Sequence, residues 1–191
     1  MRDLSVLLEE AAAVHGHVCP GQVLGVRMAA AGCQALGIDE PKGGKRLLVY
    51  VEIDRCAADA IGAVTGCRLG KRTLKYVDYG KQAATFADLQ TGRAVRVAAL
   101  ETAREHVGSY APDTGDRYAA QIEAYRVMPD EELLTVQSVR LHVLEEDMPG
   151  RPVSRVICAI CGEGVNDRRE VWRDGQSVCR ACAEKAYYEP L

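Results

Sequence analysis

The sequence is poor in aromatic residues. Phe, Trp and Tyr together make up 5% of its 191 residues, with one Phe and one Trp. A core must therefore be filled mainly by aliphatic side chains. No apolar run approaches the roughly 18 residues that a membrane span requires. The opening stretch, Met1-Arg-Asp-Leu-Ser-Val-Leu-Leu-Glu-Glu, has neither the basic start nor the long apolar stretch of a secretory leader. A formal charge of −3 leaves no cation excess to attract nucleic acid over the whole surface. These absences predict a cytoplasmic protein with no membrane partner.

Cysteine, by contrast, is plentiful, with eight in the chain. In a reducing compartment that number argues for metal binding or catalysis over disulfides. Apolar residues at 48% and charged residues at 27% are those of an ordinary globular protein. The length suits one domain of about 150 residues with a small appendage.

The densest chemistry lies in Val14-His-Gly-His-Val-Cys-Pro-Gly21, where His15, His17 and Cys19 fall within five residues. Imidazole and thiolate together suit zinc and other borderline-soft transition metals. A cysteine just ahead of a helix also gains from the unpaired N–H groups and positive dipole end there. Two readings stay open on spacing alone. Either this is a metal or thiolate site completed by later cysteines, or these are turn residues capping two helices.

Before this turn, Leu4, Leu7, Leu8, Ala11 and Val14 carry a helical apolar pattern. Pro20 and Gly21 are expected to break the backbone ahead of a second helix running from Val23 to Leu36, stopped by Gly37. Gly25, Ala29 and Gly32 give that helix a stripe of small residues compatible with close packing and with a homodimer. Cys33 within it reads as a buried small apolar residue. Leu47 to Ile53 reads as a buried strand. A short helix over Ala57–Val64 follows, with Asp54 as a candidate cap and Cys56 at its entrance, a place where α/β architectures often build sites. Cys67, next to Gly66 and followed by Arg68, Lys71 and Arg72, makes Cys67 and Lys71 candidates for holding an anionic cofactor, with a solvated loop as the alternative.

Residues 73–79, 83–89 and 93–99 read as three strands of an antiparallel meander, turned at Gly80-Lys81 and Gln90-Thr-Gly92. Helices are expected over 103–106 and 116–127, with Pro129 opening a further turn. An alternating strand falls within Leu133–Leu144. His106 and His142 read as ordinary polar positions. Glu145-Glu-Asp-Met-Pro-Gly-Arg-Pro is charged, twice broken by proline, and reads as a linker.

Beyond it, Cys158-Ala-Ile-Cys161 and Cys179-Arg-Ala-Cys182 are separated by seventeen residues. Two Cys-x-x-Cys pairs at this spacing match a tetrahedral four-cysteine zinc site, with a redox dithiol pair as the alternative. Knuckle, hairpin and a helix over 180–188 would make a treble clef. A module of about 40 residues needs such a staple to fold. Residues 151–191 carry seven Lys/Arg against six Asp/Glu, so nucleic acid is not an expected partner, although Trp172, Tyr187 and Tyr188 have stacking faces.

With these residues assembled, the chain resembles the FmdE family, named for its link to formylmethanofuran dehydrogenase. The resemblance rests on His15-Gly-His-Val-Cys-Pro-Gly-Gln-Val-Leu-Gly-Val-Arg-Met-Ala, on Glu52-Ile-Asp-Arg-Cys-Ala-Ala-Asp-Ala-Ile and on Thr65-Gly-Cys-Arg-Leu-Gly-Lys. It covers about residues 5–145. It implies an α+β core over 1–148, with a mixed sheet flanked by helices, and a treble-clef zinc finger over 149–191. It also implies a metal-binding active site in the core, carried onto His17, Cys19 and Cys56 first and then His15 and Cys67. A second zinc or other transition metal would sit there, apart from the structural zinc of Cys158, Cys161, Cys179 and Cys182. The family name ties it to a molybdenum enzyme of methane metabolism. This chain lacks the closely spaced cysteine clusters that iron–sulfur centres require, so it resembles an accessory and not the dehydrogenase itself.

Three functions follow as expectations. The first is an accessory, assembly or metal-delivery factor for a molybdenum oxidoreductase or its subunits. The second is a metal- or thiolate-dependent enzyme on a small one-carbon or sulfur-containing substrate, with His17, Cys19 and Cys56 as catalytic candidates. The third is a zinc-finger regulator, which the charge balance disfavours.

Overall fold

The computed structural model describes residues 2–189 and 191. Residues up to Leu141 form one compact unit and His142–Leu191 a second. The chemistry of the first unit depends on how its helices start.

Helix α1 (Leu4–His15) begins where the Asp3 carboxylate accepts from the Ser5 N–H, and it buries Leu7, Leu8 and Ala11 along one stripe. Helix α2 (Pro20–Leu36) starts three residues earlier than expected. Pro20 and Gly21 do not break the chain but open the helix, because a proline at the first helical position lacks only an N–H with no intrahelical acceptor. Nearly all of α2 is buried.

Strand β1 (Leu47–Val51) leads into helix α3 (Cys56–Thr65), and the chain returns through strand β2 (Leu74–Tyr76). Arg55, not Asp54, occupies the cap position of α3, and it makes no side-chain cap bond. A Cβ at Gly25 would come within 2.6 Å of the Ala57 carbonyl oxygen, so α2 and α3 touch backbone to backbone. Strand β3 (Ala83–Asp88) carries Phe86, and a Cβ at Gly32 would meet its ring at 2.5 Å. The small residues of α2 are thus consumed inside the chain, against α3 and Phe86.

The remaining strands are β4 (Ala94–Ala99) and β5 (Leu134–Val139), giving a mixed five-stranded sheet in the order β2-β1-β3-β4-β5. The expected three-strand meander is corrected. β3 and β4 do form an antiparallel hairpin, but β2 pairs with β1, in parallel, at the sheet edge. The cause is α3. A helix between two strands carries the chain back to the end where β1 began, so the next neighbour runs parallel. Residues 77–81 then wrap the end of β1, with the Tyr79 and Lys81 N–H groups both donating to the Glu52 carbonyl. In register, Val49 and Val95 flank Phe86, and this face packs on α2.

Helices α4 (Val107–Tyr110), α5 (Arg117–Val127) and α6 (Asp130–Leu133) connect β4 to β5. The helix expected over 103–106 is a 3-10 turn over Glu101–Arg104 instead. Arg27 of α2 donates to the carbonyls of Tyr125 and Met128 at 2.8 Å and pairs with Asp130, fastening the α5–α6 turn. Two buried carboxylates are each clamped by an arginine, Asp88 by Arg46 and Glu52 by Arg96. Among the described residues, no helix is long and apolar enough to cross a membrane.

The second unit comprises hairpin β6 (Arg155–Ile157) with β7 (Gly164–Asn166), hairpin β8 (Val171–Arg173) with β9 (Gln176–Val178), and the single turn α7 (Arg180–Ala183). The final helix stops well short of residue 188, where the Arg173 guanidinium takes the Ala183 carbonyl. The stretch read as a linker is tied down as well: Arg168 pairs with Glu145 and Arg169 with Asp147.

Candidate metal centre

The core cluster follows from the turn between α1 and α2. Gly16 closes α1 with φ 97° and donates to the Ala12 carbonyl at 2.7 Å. Only a residue without a Cβ adopts that conformation cheaply, and it reverses the chain so that His15 and His17 sit side by side. Their ring centroids are 4.9 Å apart. Cys19 then occupies the N-cap of α2, where its Sγ accepts from the Gln22 N–H at 3.3 Å. The ligand atoms of His15, His17 and Cys19 all lie within 4.8 Å of one another.

This donor set fits a transition metal, and the surroundings fit it too. His15 Nδ1 bonds Asp59 Oδ2 at 2.9 Å, which fixes the ring and leaves Nε2 for an ion, as carboxylates do behind metal-bound histidines. Cys19 is buried while His17 is exposed, so the cluster is rooted in the core and opens outward. A small adjustment brings donors within 4.8 Å onto a shell of about 2.0–2.3 Å radius.

Cys56 is the first residue of α3. A Cβ placed on Gly21 would lie 3.8 Å from the sulfurs of both Cys19 and Cys56, so the two thiols flank one glycine. Gln22 Nε2 donates to the Cys56 carbonyl at 2.6 Å and ties the two helix starts together. Burial, followed by the neighbouring Cys19 sulfur, pushes the Cys56 thiol up from its ordinary value. Cys56 is not one of the mutually close set with the two imidazoles. It neighbours Cys19 from the side.

Cys67 and Lys71 are placed elsewhere. Cys56 opens α3 and Cys67 follows its far end, a separation of about 15 Å along a helix of that length. Cys67 Sγ is buried and donates to the Leu47 carbonyl at 3.5 Å, and burial raises its pKa. Lys71 stands exposed on the neighbouring 3-10 turn. The structure brings these two near each other and apart from the histidine cluster.

Sequence reasoning missed two residues. Asp59 lies one helical turn past Cys56, a spacing that puts it on the same face of α3 and would have flagged it. Tyr118, in the first turn of α5, has its hydroxyl against Cys19. Burial and then the Cys19 and Cys56 sulfurs raise its pKa. No local pattern marks Tyr118, since its approach depends on how α5 docks on α2.

In the second unit, Cys158 and Cys161 lie in the β6–β7 turn, while Cys179 caps α7 and Cys182 sits within it. All four sulfurs lie within 4.8 Å of one another, with Cys161 and Cys179 at 3.9 Å. A tetrahedron of about 2.3 Å Zn–S bonds has edges near this length. Backbone N–H groups of Cys161 and Cys179 lower the Cys158 thiol to about 6, whereas Cys179 and then burial push Cys182 up to about 12. Four sulfurs at such range resist ionising together unless a cation joins them.

Two family models match. Residues 14–135 match the family described as FmdE, Molybdenum formylmethanofuran dehydrogenase operon, and residues 151–188 match the Prokaryotic dksA/traR C4-type zinc finger. A protein of Archaeoglobus fulgidus, described as a probable S-adenosyl-L-methionine-binding protein, is 39% identical over 97 residues. The match takes in 49% of this chain and 26% of that protein, so the chain spans about a quarter of that relative's length. The crystal structure of a tungsten formylmethanofuran dehydrogenase (FmdE)-like protein from Syntrophus aciditrophicus matches with a TM-score of 0.64 at 20% identity. It covers 98% of this chain and 96% of its own, a likeness of fold.

Proposed function

From the premise that the chain belongs to the FmdE family, we propose that its first unit binds a transition metal through His15, His17 and Cys19, with Cys56 at the side of the site. We propose further that it serves a molybdenum-type oxidoreductase as an accessory, assembly or metal-delivery factor, working in the cytoplasm as a homodimer. The observation that supports this reading best is the convergence of three unlike donors, one already oriented by Asp59. An exposed His17 suits a metal that must leave as well as bind. The second unit, a finger of the C4 type, holds a structural zinc and docks the client.

A second reading is favoured by Cys56 and Tyr118. Two ionisable groups beside Cys19 are more than a metal carrier requires, and they suit an enzyme acting on a small one-carbon or sulfur-containing substrate. The name of the Archaeoglobus relative brings S-adenosylmethionine, which is both, into this class. Here Cys56 is the nucleophile or an added ligand, and Tyr118 holds a proton at the Cys19 sulfur.

Metal analysis of anaerobically purified protein tests the shared premise. The parent protein should hold metal at both sites, while His17→Ala and Cys19→Ser retain only the finger zinc. Unchanged metal content in both variants would overturn the core site.

A further inference from the structure

Strand β5 closes one side of the sheet, and its exposure is unusual. Leu134 is buried, yet Thr135, Val136, Gln137 and Ser138 are all exposed, although alternate residues of a strand face opposite sides. Neither face of this stretch is covered.

Its outward edge is open as well. The Leu100 N–H donates to the Leu133 carbonyl at 2.9 Å. Bonded residues alternate along an antiparallel ladder, so Thr135 and Gln137 turn their peptide groups toward β4, while Leu134, Val136 and Ser138 turn theirs away. The Leu134 N–H is taken by the Asp130 carbonyl of α6. Among the described residues, no backbone bond from outside the sheet reaches Val136 or Ser138. The stretch Leu-Thr-Val-Gln-Ser-Val contains no charge and no proline, the features that keep exposed edge strands apart.

We infer that a second copy of the chain adds its own β5 here, antiparallel, about a two-fold axis through Val136. The inference rests on the self-association proposed above and assigns its surface. In this register Val136 faces the partner's Val136, Thr135 faces the partner's Gln137, and Leu134 faces the partner's Ser138. About four N–H···O bonds form: two between the Val136 peptides, and one from each Ser138 N–H to the opposite Leu134 carbonyl. An axis normal to the sheet keeps the helix-covered face of both copies on one side, so the pairing extends a single sheet.

Charge picks both the occupant and the register. Just outside the strand, Glu132 comes opposite the partner's Arg140, and Arg140 opposite the partner's Glu132. A slip of two residues in either direction breaks both pairs. The Glu132 side chain is 42% exposed and so is accessible to that pairing. An interface this small falls below the roughly 1,200–2,000 Å² of standard complexes. The dimer is therefore concentration-dependent and exchanging.

Sedimentation velocity of the full chain, from roughly micromolar to several hundred micromolar, tests the assignment. The parent protein should move from monomer toward dimer. Val136→Lys puts like charges at the axis and should shift the midpoint upward at least about tenfold. Its thermal transition should not change, because the Val136 side chain is exposed and its N–H serves no bond to β4. Arg140→Glu should weaken association, and Glu132→Arg combined with Arg140→Glu should restore it. A monomer at every concentration overturns both the surface and the self-association. A dimer indifferent to Val136→Lys and to the charge reversals keeps self-association and overturns this surface. Should Val136→Lys misfold, the charge-reversal pair decides alone, since neither residue lies within the strand.

Discussion

His15 Nδ1 lies 2.9 Å from Asp59 Oδ2, across 44 residues of sequence. The contact joins the end of α1 to the exposed side of α3 and sets which ring nitrogen faces the cluster. Loss of such a carboxylate behind a metal-bound histidine typically costs about 10–100-fold in affinity. Asp59→Asn should therefore weaken core metal binding by about that factor while leaving the finger zinc in place. Chelator competition with the two sites resolved measures it. Equal affinity in parent and variant would show that Asp59 does not orient the ligand.

Tyr118 separates the two functional readings. Tyr118→Phe removes one hydroxyl and keeps the ring. If the unit carries metal for a client, metal content and client binding should be unchanged. If it turns over a substrate, loss of a proton donor should lower kcat by about 10²–10⁴, with the pH profile flattened on its alkaline side. Candidate one-carbon and sulfur-containing substrates, S-adenosylmethionine first, provide the assay.

Much of this architecture was legible in the sequence, and the failures have a physical pattern. Helices α1, α2, α3 and α5 follow from apolar periodicity and capping residues such as Asp3 and Asp116. The His15–Cys19 cluster and the four finger cysteines are local, so spacing revealed them. Strand pairing is not local. Residues 74–76 have the composition of a strand, yet nothing in them states that their neighbour is β1 instead of β3. Cys67 is the same kind of case. Its motif resembles that of Cys56, but α3 holds the two at opposite ends. Tyr118 joins the cluster through tertiary docking alone. The small residues of α2 were a true signal of close packing, and only the identity of the packed surface was hidden.

Asp88 gives the first unit an acid limit. Its carboxylate is fully enclosed, and the Arg46 guanidinium, helped by the Gln90 N–H and the Thr91 hydroxyl, holds it well below the ordinary carboxylate range. A folded pKa below the unfolded value of about 3.9 means the contribution is complete above that value and is lost as pH falls toward the folded one. The thermal midpoint of the parent first unit should drop on acidification below about pH 4. In Asp88→Asn the midpoint should start lower at neutral pH and fall less steeply. Parallel curves for the two proteins would remove Asp88 from the account.

The finger should depend on its ion for folding. Cys158, Val165, Val178 and Ala183 make the only buried cluster of the second unit among the described residues, far too little apolar surface to order about 40 residues unaided. The four sulfurs must shed protons to bind zinc, so binding releases acid and weakens as pH falls. Cys158→Ser, or a strong chelator at neutral pH, should remove the zinc and unfold this unit alone. Amide exchange in residues 155–183 would become fast, while β1, β3 and β4 of the first unit stay protected. The core variants His17→Ala and Cys19→Ser should show the reverse, losing metal with the finger's amides still slow. If chelation left the finger amides protected, its fold would rest on something other than the four cysteines, and their convergence would have to serve a different chemistry.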